Sequence, residues 1–380
     1  MENRRPDYIL FSVTVILIIL GIIILYSVSS SLSQEKFGSS FYYLNHQILY
    51  GLLPGLTLAF FSFKINLNSL KKMAPLILLI NLMLLAMVFL PIVGFRFKGA
   101  ARWLSFGKIT FQPSEFLKIS FILYLASWLA NRTEKDKEFS QTFIAFLIVI
   151  GLVSLLLIFQ PDVSTLLIII LIGGLMYFLA KTPLWHSVLT ILILIFGLLF
   201  LVIVAPYRFN RILVFLNPEL DPMGIGYQIK QALIAVGSGG ISGLGLGLSK
   251  QKFGFLPHAI SDSIFAIFAE ETGFLGSSIL TLLYLIFAWR GFKIGNESQD
   301  KFPKFLAFGI TFWITLQAFI NIGSMTGILP LSGIPLPFIS FGGSALISEL
   351  VGVGILLNIS KRLISKYYLP EVVAVATFSQ

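Results

Sequence analysis

Ten stretches of about twenty apolar residues recur along this chain, near 8–28, 45–63, 74–93, 114–130, 141–160, 162–180, 184–206, 263–289, 305–325 and 341–360. A segment that long and that apolar suits the hydrocarbon core of a bilayer, where only a helix or a closed barrel satisfies its own backbone. The 380 residues are 57% hydrophobic and only 12% charged, against roughly 25% charged residues in soluble domains. Length therefore does not count domains here. The sequence predicts an all-α polytopic membrane protein with ten transmembrane helices in a single domain, 1–380. The fifth and sixth helices are separated only by "FQPDVS", which requires a tight proline turn. The first apolar run follows "MENRRPDY" and exceeds a secretory signal core, so an uncleaved first helix is expected.

Positive charge sets the orientation. With the N-terminus cytoplasmic, sixteen Lys and Arg fall on the inner side and ten on the outer, and Lys118 lies within a span. This bias predicts both termini in the cytoplasm. The net charge of +10 is accounted for by topology selection and anionic lipid, because no basic run is interleaved with aromatics. Nucleic acid is excluded as a partner on that ground. No cysteine is present, which removes disulfides and thiolate chemistry, and His46, His186 and His258 are too scattered to suggest a cluster. The longest connection, 207–262, is a large extracytoplasmic loop between helices 7 and 8. It contains "GYQIKQALIAVGS", an amphipathic helix pattern, then "GGISGLGLGLSKQKFGFLP". Those glycines either bring amides close to an anion or let the chain fold back on the membrane surface. Matching interrupted helices in two halves, the mark of an inverted-repeat transporter, are not evident.

The ten outer cations exceed what topology needs, and polar groups gather with them. In "FKGAARWLSFGKITFQPSEFLKI" the residues Lys98 and Arg102 precede Glu115 and Lys118, which are three apart and share a helix face. The Glu–Lys pair is either a structural lock or a site group, as buried membrane charges often are. Asp162 follows Pro161 at the outer end of a span, where a helix cap is the plain reading. Asp262 sits in the same kind of position. Glu270, eight residues on, is about 12 Å deeper at 1.5 Å per residue, and Glu271 is about 180° around from Asp262. That geometry reserves Asp262 for chemistry and the two glutamates for architecture. Near the end, "GILPLSGIPLPFISFGGSALISE" cannot be helical through Pro330, Pro335 and Pro337. Irregular backbone at that depth is tolerated when it lines a cavity. Ser340, Gly342, Gly343 and Ser344 then offer either an anion site at a helix N-terminus or a tight unliganded loop.

Five stretches, "ARWLSFGKITFQPSEFLKI", "FQPDVST", "GYQIKQALIAVGSGGISGLGLG", "LPHAISDSIFAIFAEETGFLG" and "GILPLSGIPLPFISFGGSAL", resemble in order and spacing the SEDS proteins (shape, elongation, division and sporulation). The resemblance covers nearly the whole chain, and its wording is closer to division-type than to elongation-type members. It implies a peptidoglycan glycosyltransferase of the bacterial cytoplasmic membrane that polymerises lipid II on the outer face. The partner it implies is a class B penicillin-binding transpeptidase, within a division or elongation complex of membrane proteins. A lipid II flippase and a non-enzymatic scaffold for the transpeptidase are the alternatives.

Carried over by position, the family's essential aspartate falls on Asp262, its Glu–Lys pair on Glu115 and Lys118, its QPD aspartate on Asp162, and its GGS serine on Ser344 or Ser340. Members often carry His-Thr-Asp-Phe where this chain has Ile260, Ser261, Asp262 and Ser263, and Phe341 stands where Tyr is common. Asp262 is then the expected base, with Arg102, Lys98, Arg208 or Arg211 expected to bind the leaving pyrophosphate. A divalent cation, magnesium or manganese, is left open as a cofactor, since no ligand cluster in the sequence demands one.

Overall fold

The computed structural model describes residues 5–97, 100–106, 109–131, 139–180 and 206–362, together with 185–186, 188–190, 192–193 and 197. Among them, helices occupy nine of the ten expected spans, and the seventh lies largely outside the described residues. They are α1 (Tyr8–Phe37), α2 (Tyr42–Lys64), α3 (Leu67–Met87), α4 (Pro113–Asn131), α5 (Phe139–Phe159) and α6 (Val163–Leu179). After the connection that holds α7 (Pro206–Leu216) and α8 (Ile225–Ser238) come α9 (Ile264–Glu297), α10 (Lys301–Met325) and α11 (Gly343–Ser360). Six of these are long and apolar enough to cross a membrane.

Local chemistry sets the ends. Helix α1 runs nine residues beyond the expected span and stops where Gly38, at φ 69°, donates its N–H to Gln34 O. Asp7 caps its start and also receives the Arg290 guanidinium, which ties α1 to α9. Helices α2 and α11 approach through small residues, and a Cβ on Gly354 would collide with Ser62 and the Ala59 carbonyl.

The all-α expectation is corrected at one place. The segment before α4 forms a three-stranded antiparallel sheet, β1 (Gly94–Phe97), β2 (Ala100–Phe106) and β3 (Ile109–Phe111). Phe95 pairs with Trp103, and Leu104 pairs with both Gly94 and Phe111. The strands are two residues apart in sequence, "KG" and "GK", spacing suited to hairpins. Leu104 is fully buried and seats the sheet on the bundle.

The 207–262 connection is also more ordered than a loop. Helix α8 buries Gly226, Ile229, Ala232 and Ala235, the stripe that the amphipathic pattern predicts. The glycine-rich stretch folds back into α9 rather than cradling an anion. Gly273 has φ 67° and breaks α9, freeing carbonyls before it and amides after it. The loop fills all four: Leu244 and Gly245 donate to Glu270 O and Glu271 O, while Phe274 and Leu275 donate to Gly240 O and Ile241 O. A Cβ at Gly273 would both strain that φ and strike the Gly243 nitrogen and the Ile241 carbonyl. Gly273→Ala is therefore expected to cost about 2 kcal/mol or more. A lower melting temperature and faster proteolysis within 240–252 would be the measured signs.

Candidate active site

At the end of the bundle that carries the sheet, a cavity of about 440 Å³ opens between α4, α6, α7, α8, the turn before α9 and the prolyl segment. Three carboxylates line it, Glu115, Asp162 and Asp262, and three cations, Arg102, Lys118 and Arg211. A larger cavity of about 760 Å³ lies at the opposite end, among the helix ends near Lys71, Asp300 and Arg362. None of the motif residues named above reach it, so the smaller cavity is the candidate site.

The three carboxylates differ in what they already hold. Glu115 accepts from Lys118 Nζ at 2.7 Å, and both are buried. Asp162 accepts from Ser114 Oγ at 3.0 Å and Thr165 Oγ1 at 2.9 Å and caps α6 through Thr165 N–H. Both of those residues match their plain structural readings. Asp262 does not: the cap position of α9 belongs to Ser263, which makes no side-chain cap bond. The Asp262 carboxylate accepts only from Ser261 Oγ, at 3.0 Å. Among the described carboxylates lining the cavity, Glu115 is ion-paired and Asp162 is hydrogen-bonded through both oxygens, which leaves Asp262 as the one held by a single hydroxyl and no cation.

The cations divide in the same way. Lys118 is neutralised by Glu115 and also donates to Gln317 Oε1 at 2.9 Å. Arg102, carried in by β2, donates to the carbonyls of Gln160 and Pro161, so its charge is oriented but not cancelled. Arg211, on α7, is exposed and makes no ion pair among the described residues. Arg102 and Arg211 are thus the two that can meet an anion. Lys98 and the side chain of Arg208 lie outside the described residues.

In the glycine–serine segment Gly342 lines the cavity, and the neighbouring hydroxyls hold backbone groups. Gly342 N–H donates to Gln47 Oε1, and Ser344 Oγ accepts from Gln112 N–H at 3.1 Å. Ser340 Oγ donates to Ser261 O at 2.6 Å and accepts from Leu336 N–H at 2.7 Å. Neither Ser340, Gly343 nor Ser344 lines the cavity. Of the two readings open for this segment, the serine hydroxyls take the backbone-bound one. Phe341 does line it, packed edge-on to Tyr43 at 5.2 Å. His258 also reaches the cavity, from a backbone at φ 57°.

Glu270 and Glu271 anchor the loop before α9. Glu270 accepts from Ser249 Oγ and from Lys250 N–H, and Glu271 accepts from Lys252 Nζ at 3.1 Å and Ser27 Oγ at 2.7 Å. Lys252, counted as an outer cation in the sequence, is buried in that pair. The residues that sequence reasoning missed are Gln317 and Glu349. Gln317 links Lys118 to Glu349, and Glu349 Oε2 accepts from Phe338 N–H at 2.8 Å, where φ is 65°. Glu349 was visible only as a charge in the last span. Among the described residues no three His, Asp or Glu converge as metal ligands do.

A family profile described as a cell cycle protein, covering FtsW, RodA and SpoVE, matches residues 7–364. The chain is 38% identical over 360 residues to stage V sporulation protein E of Bacillus subtilis, spanning 95% of this chain and 98% of that one. It is 40% identical over 362 residues to the probable peptidoglycan glycosyltransferase FtsW of Geobacter metallireducens, spanning 95% and 96%. Its fold is similar to a chain from a peptidoglycan synthase complex that coordinates polymerization and crosslinking, with TM-score 0.78, 26% identity, and coverage of 94% and 98%. The rod shape determining protein RodA of Thermus thermophilus shares the fold at TM-score 0.68 and 23% identity, covering 94% of this chain and 97% of that one.

Proposed function

The chain belongs to the FtsW/RodA/SpoVE family of cell cycle proteins, the SEDS proteins, and on that footing we propose that its cavity joins two lipid II molecules into glycan. It is a peptidoglycan glycosyltransferase and a multi-pass protein of the cytoplasmic membrane, as its relatives' names and its apolar helices support. The finer reading has ten spans, both termini cytoplasmic and the cavity at the outer face. It assigns the chain to septal wall synthesis, beside a class B penicillin-binding transpeptidase. The similarity to a chain from a synthase complex supports such a partner.

The observation that carries the mechanism is the free Asp262 oxygen in a cavity whose other carboxylates are engaged. Asp262 takes the proton from the 4-hydroxyl of one lipid II sugar, and that oxygen forms the new bond to the anomeric carbon of the other. The bond from that carbon to undecaprenyl pyrophosphate breaks with inversion, and the leaving group carries away the electron pair. A single displacement needs one basic carboxylate, whereas retention asks for two close ones with one free as nucleophile. Arg102 and Arg211 meet the pyrophosphate charge as it develops.

Purified protein with its transpeptidase, given lipid II in detergent, is expected to yield a glycan ladder on a gel. Movement of lipid II across liposomes without a ladder would mark a transporter, and neither activity a scaffold. Arg211→Ala is expected to lower the initial polymerisation rate about tenfold, below the 100-fold of a buried oxyanion donor because the guanidinium is exposed. Arg211→Lys should recover part of that loss. Equal rates in all three proteins would remove Arg211 from the site.

A further inference from the structure

Asp262 owes its place to its main chain, because its side chain caps nothing. Three consecutive carbonyls at this turn are each held: Ile260 O by Phe341 N–H at 2.9 Å, Ser261 O by Ser340 Oγ at 2.6 Å, and Asp262 O by Asn321 Nδ2 at 2.7 Å. The first two donors lie on the segment that follows the prolines. Asn321 alone of the three comes from a spanning helix, α10, and it is 1% exposed. Its second amide hydrogen goes to Ile334 O, also at 2.7 Å, and Ile334 lines the cavity wall.

Asn321 belongs to a seam. Gln317, Asn321 and Ser324 stand at i, i+4 and i+7 on α10, so they share one face. Gln317 Nε2 donates to Pro335 O at 3.1 Å, Asn321 to Ile334 O, and Ser324 Oγ lies 3.0 Å from Pro330 O. The prolyl segment lacks amide hydrogens at its prolines and gives its carbonyls to this row instead. Only Asn321 extends the row across to the turn that bears the carboxylate.

We infer that Asn321 is the positioning residue of the reaction: one primary amide sets the base turn and the cavity wall at a fixed distance from each other. The inference rests on Asp262 as base. A base displaced by about 1 Å loses on the order of 100-fold in rate with little change in ground-state binding. Removing the amide should therefore act on kcat and not on KM.

A matched control exists in the same molecule. Asn358, on α11 at the opposite end, is fully buried and donates its amide to two backbone carbonyls, Ser62 O at 3.0 Å and Ile65 O at 2.7 Å. Asn321→Leu and Asn358→Leu remove the same two kinds of bond and keep the branched shape of the side chain. In lipid II titrations on folded, purified protein, Asn321→Leu is expected to lower kcat about 100-fold with KM within about twofold. Asn358→Leu should lower the melting temperature by a similar amount and leave kcat within about threefold. Asn321→Ser supplies the reading where the leucine variant does not fold. Unchanged kcat in a folded Asn321 variant overturns the inference, and so does an equal loss in Asn358→Leu. Asp262→Ala is run alongside. A surviving ladder there sinks the base reading and the inference with it, whereas its loss with a silent Asn321 variant sinks the inference alone.

Discussion

Asp262→Ala should leave a folded protein that makes no visible glycan ladder. General-base catalysis contributes about 100- to 10,000-fold, and the other described carboxylates in the cavity are committed, Glu115 to Lys118 and Asp162 to two hydroxyls. Asp262→Asn is the sharper form. Its amide keeps the shape and can still meet Ser261 Oγ, yet it cannot accept the proton from a sugar hydroxyl. Equal loss in both variants with unchanged melting temperature assigns the effect to chemistry. Asp162→Asn provides the contrast, since Asp162 caps α6 and receives two hydroxyls. Asparagine still caps but turns one acceptor oxygen into a donor, so the effect is expected to appear as about 1 kcal/mol of stability, with polymerisation retained in proportion to folded protein. A ladder of normal intensity in Asp262→Asn would refute the assignment, whatever the alanine variant does.

The second large effect is on the fold. Lys118 is 1% exposed and serves three partners: Glu115 at 2.7 Å, Gln317 Oε1 at 2.9 Å, and the Trp313 ring at 5.3 Å. Lys118→Met removes the cation and leaves the buried Glu115 carboxylate without its counter-charge. Breaking one side of a buried pair costs about 3–5 kcal/mol, enough to unfold a marginal membrane bundle. Glu115→Gln in the same chain removes that stranded charge and should restore part of the loss. Melting temperatures of the three purified variants decide it: the double variant must lie above Lys118→Met. A single variant as stable as the parent would show that the pair holds nothing.

Much of this architecture is legible in the sequence because the bilayer permits so few solutions. Nine apolar segments are helices where their length demands it, and Asp162 caps as its place after Pro161 suggests. The parts that escape are those where backbone meets backbone. "AEETGFLG" reads as uninterrupted helix, and nothing local reveals that a loop 26 to 34 residues earlier enters its ladder at Gly273. The sheet escapes because strands of three to seven residues give too short an alternation, with one face on the bundle. Ser340 and Ser344 were read by type, as hydroxyls at a helix start, while their partners depend on which carbonyls and amides the tertiary fold delivers. The Gln317, Asn321 and Ser324 row was in principle readable, since three polar residues at helical spacing inside an apolar span need company.

The interrupted ladder at Gly273 also bears on biogenesis. A half-helix with two open carbonyls and two open amides is a poor passenger for the bilayer, where each unmet group costs several kcal/mol. The chain order resolves this. Residues 240–245 leave the ribosome before 270–275, so the loop that closes the gap is already present when the eighth span is inserted. The break can thus be sealed as it forms, without waiting for later spans. Moving the glycine-rich segment to follow the span it completes, by circular permutation, would reverse that order and is expected to lower the yield of inserted protein even though every contact of the finished bundle is kept.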